Sequence, residues 1–163
     1  MHHTISPSMD IQISSNFERY LYYLMDENPD KIRELMEQMA NTGSIQVPAE
    51  KQQEVAGTFQ AQAVSEEETL AQIKATYADC GYILDPHTAV GVRAARDLPD
   101  AVCLATADPA KFGDAVKQAI GVEAPLPPSL QGLMEKETRC ELLAADREEI
   151  KSFIKSALGH KPG

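Results

Sequence analysis

Two Asp-Pro dipeptides, each just after a short apolar run, constrain the fold of this 163-residue chain more than any other feature. Asp85-Pro86 follows the run at 81–84, and Asp108-Pro109 follows the run at 101–106. Aspartate is a favoured helix N-cap and proline a favoured first helical residue, so each dipeptide predicts the start of a helix. The resulting order from Gly81 to Ile120 is strand, helix, strand, helix, with the second strand buried. This order is typical of a parallel βαβα unit.

Helices dominate the rest of the predicted pattern. Ser65 and Glu68 form a capping box, which predicts a helix from Glu66 to about Cys80. Other helices are predicted after Ser14-Ser15-Asn16, after Asn28-Pro29, from Val47-Pro48 and after Asp146, and other short strands at 9–13, 58–64 and 139–143. The chain then divides into a helical segment at 1–80, the βαβα unit at 81–120, and a C-terminal loop and helix at 121–163.

Charge and cysteine content exclude several classes of partner. With 15 Lys and Arg against 25 Asp and Glu, the formal net charge is −10. This charge disfavours nucleic acid and anionic membranes, because both are bound through clustered basic residues. Cys80, Cys103 and Cys140 form no CxxC pair, as expected for free thiols in a reducing compartment. With no signal sequence and no apolar run long enough to cross a bilayer, the expectation is a cytoplasmic protein.

Polar side chains collect at the ends of the two central predicted strands. Asp85, His87 and Thr88 follow the first strand, and Thr106 and Asp108 close the second. Ligand groups of parallel sheets lie beyond the carboxyl ends of strands, so these residues are expected to face one crevice. Two interpretations of the first group stay open. Asp85 and Thr88 can simply cap a helix, which is common, or the helix N-terminus can bind a carboxylate or phosphate.

The second strand end has the same two kinds of interpretation. Thr106 to Pro109 is either a turn that caps the next helix or a hydroxyl placed to bond a ring nitrogen. The machinery for covalent or phosphate-anchored catalysis is incomplete, because the nine Gly are scattered and no lysine has an apolar, pocket-like context. His2 and His3 lack a carboxylate partner, so no metal site is predicted.

Three segments together resemble the threonine synthase family. They are SPSMDIQISSNFER at 6–19, DPHTAVG at 85–91 and CLATADPAKF at 103–112. Their order and approximate spacing also match, and the likeness covers nearly the whole chain, but only the C-terminal part of the family's proteins. The resemblance implies an α/β fold, namely a helix-rich partial three-layer domain of the tryptophan-synthase-β-like fold (pyridoxal-phosphate fold type II) with a short, mostly parallel sheet.

The resemblance also implies an activity and a cofactor. Threonine synthases convert O-phospho-L-homoserine and water to L-threonine and phosphate, with pyridoxal phosphate as the electron sink. Thr106 matches the position of a hydroxyl that contacts the pyridine nitrogen in enzymes of this fold. Asp108 stands where the family pattern Thr-Ala-His-Pro has His, and Arg19 could equally be a buried structural charge. The residues that the resemblance places around the site are Asp85, His87, Thr88, Asp108, Ser15, Asn16 and Arg19.

In the family, the Schiff-base lysine and the glycine loop that holds the cofactor phosphate lie upstream of the segment that begins at Ser6, and this sequence contains neither. The chain alone is therefore expected to bind no cofactor and to be inactive. It would act as a portion of the enzyme or as one half of a split enzyme with a separate N-terminal partner. The alternative is a non-catalytic, helix-rich interaction or regulatory module. Apolar surface that a missing partner would cover should make the isolated chain self-associate.

Overall fold

A computed structural model describes residues 3–11 and 14–159 of the chain. Its contacts divide the chain into two units, one ending at Pro125 and the other beginning at Leu126. The first unit contains helices α1 (Ser15–Leu24), α2 (Pro29–Thr42), α3 (Ala49–Thr58), α4 (Glu66–Cys80), α5 (Pro86–Ala94) and α6 (Gly113–Ile120), with 3₁₀ turns at Pro7–Met9 and Pro109–Phe112. The second unit contains 3₁₀ turns at Pro128–Leu130 and Leu133–Glu135 and helix α7 (Arg147–Gly159).

The first two helices begin at the polar residues that the sequence predicts. The Ser14 hydroxyl accepts the N–H of Phe17 at 3.4 Å to cap α1, and the Asn28 side chain caps α2. Gly43 ends α2 with φ at 73°, a left-handed conformation in which a Cβ is disfavoured. Burial of each large side chain between these helices contributes about 1.5–3 kcal/mol. The buried residues of this cluster are Leu21, Leu24, Met25 and Ile32.

Helix α4 organises the part of the first unit that carries the two Asp-Pro dipeptides. Its predicted capping box is confirmed, because the Glu68 N–H donates to Ser65 Oγ at 3.2 Å and the Ser65 N–H donates to Glu68 Oε2 at 3.0 Å. Helices α5 and α6 both pack against α4. The side chains of Ile73, Leu84 and Val116 are buried there. This packing holds α5 against α4, and the Asp85 side chain caps the start of α5.

The structure does not support the predicted sheet. In the described ranges 3–11 and 14–159 there is no strand, and the runs at 59–64, 81–84, 101–106 and 139–143 have no regular structure. The βαβα prediction therefore fails in both of its strands. Helix α5 begins after Asp85 as predicted, but Asp108-Pro109 begins a 3₁₀ turn, and α6 follows only at Gly113. A strand needs a neighbour for its backbone N–H and C=O groups, and none is supplied here.

The run at 101–106 differs most from its prediction as a buried strand. Val102 is 88% exposed and Leu104 is 76% exposed. The expectation of burial rested on apolar composition, which specifies a preference for a covered surface but not the surface that covers it. That part of the prediction is wrong for this chain.

The predictions near the two ends have mixed outcomes. The predicted strand at 9–13 fails at Met9, which ends a 3₁₀ turn, whereas Gln12 and Ile13 lie outside the described residues. Asp146 caps α7 as predicted, because its Oδ1 accepts the N–H groups of Glu148 and Glu149. The side chains expected to face inward from α7 are instead at least 39% exposed; they are Ile150, Phe153, Ile154 and Leu158. Among the described residues, no helix has the length and apolarity needed to cross a membrane.

Candidate functional site

The carboxylate of Asp85 is the centre of a buried hydrogen-bond cluster at the start of α5. Only 2% of the residue is exposed. Its Oδ1 accepts the backbone N–H groups of His87 at 2.9 Å and Thr88 at 3.4 Å. Its Oδ2 accepts the hydroxyl of Thr88. Asp85 is therefore the helix cap that one interpretation of the sequence predicts.

The imidazole of His87 lies between Asp85 and the N-terminal 3₁₀ turn. Its Nδ1 is 3.1 Å from Asp85 Oδ1, and its Nε2 accepts the backbone N–H of Ser8 at 3.2 Å. Because Nε2 accepts a hydrogen bond, the proton of the neutral ring lies on Nδ1 and is donated to Asp85. The ring also packs on Phe112, with centroids 4.6 Å apart. Both ring nitrogens are therefore occupied by the protein itself.

Thr88 connects the cluster to the second Asp-Pro segment. Its hydroxyl donates to Asp85, and the same oxygen accepts the backbone N–H of Thr106 at 3.1 Å. The side chain of Thr106 is exposed, and no described side chain forms a hydrogen bond with its hydroxyl. The structure thus places the backbone of Thr106 beside Thr88, whereas Asp85, His87 and Thr88 are buried and do not line an open crevice in this chain.

The N-terminal turn that reaches His87 is closed by its own side chains. The Asp10 carboxylate accepts the N–H of Thr4 at 2.8 Å and the hydroxyl of Thr4 at 2.9 Å. The Thr4 oxygen in turn accepts the N–H of Ser6 at 3.1 Å. Ser8, held in this turn, donates to His87. Residues from all three segments quoted above, at 6–19, 85–91 and 103–112, therefore meet at the Asp85 cluster.

The other predicted site residues form no hydrogen bond with this cluster in the part of the chain that the structure describes. Asp108 is exposed and caps the 3₁₀ turn at Pro109–Phe112, where its Oδ1 accepts the N–H of Ala110 at 2.9 Å. Ser15, Asn16 and Arg19 are exposed on the first half of α1. In the part of the chain that the structure describes, no hydrogen bond joins these three residues to Asp85. Exposure of Arg19 excludes the interpretation of a buried structural charge.

Sequence reasoning missed two contacts of α5. The first is the packing of Phe112 on His87, and the second is an ion pair in which Arg93 Nη2 lies 2.7 Å from Glu68 Oε1. The hydrogen bond from Arg93, followed by that from the Ser65 backbone, lowers the pKa of the Glu68 carboxyl below its ordinary value of 4.5. Both contacts join residues about 25 positions apart, for which no local sequence pattern is a signal.

A metal centre has no support in this structure. Within residues 3–11 and 14–159, no three His, Cys, Asp or Glu side chains are grouped so that they could hold a metal ion. The groups that the cluster does offer are hydrogen-bonding ones, and most of them are already paired. The exposed hydroxyl of Thr106 is the group that stays available to a ligand.

Several known proteins are similar to this chain over nearly its whole length. A family profile described as threonine synthase, C-terminal, matches residues 88–154. The threonine synthase of Pseudomonas aeruginosa is 40% identical over 160 residues, which covers 94% of this chain and 34% of that protein. The threonine synthase of Saccharomyces cerevisiae is 36% identical and covers 95% of this chain and 36% of that protein. Human threonine synthase-like 1 is 32% identical and covers 93% of this chain and 24% of that protein.

A solved structure extends the similarity to the fold. The crystal structure of PLP-bound threonine synthase from Brucella melitensis matches this chain with a TM-score of 0.80 at 37% identity. The match covers 95% of this chain and 34% of that one. This chain thus spans between 24% and 36% of the relatives named above. The chain belongs to the threonine synthase family and corresponds to the C-terminal part of its members.

Proposed function

We propose that this chain is the C-terminal portion of a threonine synthase, which converts O-phospho-L-homoserine and water to L-threonine and phosphate when the rest of the enzyme is present. The observation that supports this proposal is that the three segments meet at one hydrogen-bond cluster: His87 and Thr88 both bond Asp85, and they also accept the backbone N–H groups of Ser8 and Thr106.

Thr106 is the residue to which we assign contact with the cofactor. Its backbone is held by Thr88 at 3.1 Å, while its side chain is exposed, so its hydroxyl can donate to a ring nitrogen. When bound, pyridoxal phosphate supplies an electron sink for removal of protons from the substrate. A hydroxyl is a neutral donor, in contrast to a carboxylate, which would favour a protonated ring. The sequence holds no glycine-rich phosphate loop and no lysine in a pocket-like setting, so these functions must come from outside it.

The other residues near the proposed site differ in what they can do. Asp85, His87 and Thr88 are buried beneath Thr106 and order its surroundings. Asp108 lies two residues after Thr106 and has an exposed carboxylate that can line the completed cleft. Exposed groups on α1 are proposed to line the same cleft without an individual role; they are Ser15, Asn16 and Arg19.

We further propose that the run at 101–106 becomes a strand of a short, mostly parallel sheet in the complete enzyme. Val102 and Leu104 are 88% and 76% exposed here, although their β-branched or large apolar side chains suit a covered sheet. The Ala101 N–H donates to the Leu98 carbonyl and the Thr106 N–H to Thr88, whereas the N–H groups at 102–105 form no hydrogen bond with the described residues. Such a segment can add as a strand to a sheet edge. The partner is the N-terminal portion of the enzyme, either continuous with this chain or separate from it.

The experiment is a reconstitution with the part of the Pseudomonas aeruginosa threonine synthase that this chain does not cover. Phosphate and L-threonine are measured with pyridoxal phosphate and O-phospho-L-homoserine, for the chain alone and for the mixture. We expect no turnover alone and turnover in the mixture. Thr106→Val should lower the restored kcat, whereas Thr106→Ser, which keeps the hydroxyl, should retain most of it.

Two results would contradict this proposal. Turnover by the isolated chain would show that the groups that hold the cofactor are present after all. A mixture that forms a stable complex but has neither turnover nor bound cofactor would favour the interaction module over the enzyme portion.

A further inference from the structure

We propose that His87 and Thr88 are positioning residues, which hold the Ser8 turn and Thr106 against one carboxylate and do not themselves contact ligand. The inference rests on the proposed function only for the role of Thr106. The hydrogen bonds that carry it are formed in this chain alone, so they can be tested without substrate or cofactor.

The imidazole of His87 has no free nitrogen. Nδ1 donates to Asp85 Oδ1 at 3.1 Å, and Nε2 accepts from the Ser8 N–H at 3.2 Å. The residue is only 5% exposed, and Phe112 packs on its ring. A general acid or base must reach the proton that it transfers, and neither nitrogen of this ring can do so. Its remaining function is to hold the N-terminal turn in place.

The side-chain oxygen of Thr88 takes part in two hydrogen bonds. The Thr88 hydroxyl donates its hydrogen to Asp85. The lone pairs of the same oxygen are therefore oriented to accept the Thr106 N–H at 3.1 Å. Thr88 is 5% exposed, so a ligand has no access to that oxygen. The Thr106 hydroxyl is therefore aimed by a backbone that Thr88 holds.

His87 and Thr88 share one acceptor, the carboxylate of Asp85. The carboxylate of Asp85 receives the Nδ1–H of His87 and the hydroxyl of Thr88 on different oxygens, in addition to two backbone N–H groups. Two chains of hydrogen bonds, here called arms, start at this carboxylate. The first arm runs through His87 to the backbone N–H of Ser8, and the second runs through Thr88 to the backbone N–H of Thr106. Each arm can therefore be cut without removing the cap of α5.

The test is amide hydrogen exchange by NMR on the full 163-residue chain. His87→Asn keeps a donor near the position of Nδ1 but has no acceptor for Ser8, whereas His87→Gln places an oxygen near the position of Nε2. Loss of one buried hydrogen bond should speed exchange of the Ser8 amide by a factor of about 5 to 30 in His87→Asn and by much less in His87→Gln. The amide of Ile73 in α4 is the internal reference.

A matched pair tests the second arm. Thr88→Val removes the oxygen at nearly constant shape, and Thr88→Ser keeps it. The Thr106 amide should exchange about 5- to 30-fold faster in Thr88→Val and near the original rate in Thr88→Ser. Equal rates within either pair would overturn the inference for that arm.

A measurement on the unsubstituted chain covers the case in which a variant fails to fold. The ¹⁵N shifts of the His87 ring should show Nδ1 bearing the proton and Nε2 acting as the acceptor. A ring with the proton on Nε2 could not accept from Ser8 and would overturn the inference directly.

Discussion

His87 Nε2 accepts the backbone N–H of Ser8 at 3.2 Å, although the two residues are 79 positions apart. This bond attaches the N-terminal turn to the start of α5, and Thr88 attaches Thr106 to the same place. A buried polar group stabilises a fold chiefly because leaving it without a partner is costly. Removing one member of the Asp85 cluster is therefore expected to destabilise the fold as well as the surroundings of the proposed site.

The first prediction compares the two Asp-Pro caps. Asp85→Ala removes a buried carboxylate that caps α5 and accepts from His87 and Thr88, so it should destabilise the first unit by about 2–4 kcal/mol. Asp108→Ala removes an exposed cap of a short 3₁₀ turn and should cost at most about 1 kcal/mol. Urea unfolding followed by circular dichroism measures both. Equal losses would mean that the buried cluster contributes nothing beyond an ordinary cap.

The second prediction concerns the packing of α4 against α5 and α6. Ile73 is fully buried, so Ile73→Ala should lower the free energy of unfolding by about 2–5 kcal/mol through lost burial and a residual cavity. Lys74, the next residue, is exposed, and Lys74→Ala should change the free energy of unfolding by less than about 0.5 kcal/mol. The same unfolding measurement applies. A small loss at Ile73 would show that this part of the first unit is loosely packed.

The third prediction is a pH dependence at the Arg93–Glu68 pair. The Arg93 guanidinium and the Ser65 N–H lower the pKa of Glu68 in the folded chain below its ordinary value of 4.5. A carboxyl with a lowered folded pKa contributes stability that is fully present above about 4.5 and is lost as pH falls through the folded value. Glu68→Gln keeps an oxygen for the capping box but removes the charge.

The difference in unfolding free energy between Glu68→Gln and the unsubstituted chain should therefore be largest near pH 7 and shrink below pH 4.5. Urea midpoints measured at intervals from pH 7 to pH 3 give this difference. Glu67→Gln, a change at an exposed neighbour on the same helix turn, is the control. A difference that stays constant down to pH 3 would mean that the ion pair does not contribute.

Local chemistry explains which parts of the fold were predictable from sequence. The capping box at Ser65 and Glu68 and the Asp85 cap act within a few residues, so their helices begin where expected. The sheet was not predictable in the same way, because a strand depends on a neighbour that can lie anywhere in a longer protein. The run at 101–106 has the composition of a strand, but it pairs with no other segment as a strand among the described residues.

The candidate site likewise has a part that local sequence order predicts and a part that depends on contacts between distant residues. Sequence order was enough to place Asp85, His87 and Thr88 together and to predict Thr106 nearby. The sequence could not show that both nitrogens of the His87 imidazole form hydrogen bonds, with Ser8 and Asp85, because a contact between residues 79 positions apart leaves no periodic signal. Residues on α1, such as Arg19, came from the resemblance alone, and this chain gives them no contact with the cluster.

The final prediction follows from the exposed apolar run. Val102 and Leu104, at 88% and 76% exposure, leave apolar surface in water that favours self-association. Changing both to Thr keeps residues that suit an extended segment while removing much of that surface. Neither side chain packs in the core, so the free energy of unfolding should change by less than about 1 kcal/mol. Under reducing conditions, which exclude disulfides at Cys103, sedimentation and binding of an apolar dye should both report weaker association. Leu142, which is 97% exposed in the second unit, provides the control. If Leu142→Thr weakens association as much as the double change, the run at 101–106 is not the surface that drives it.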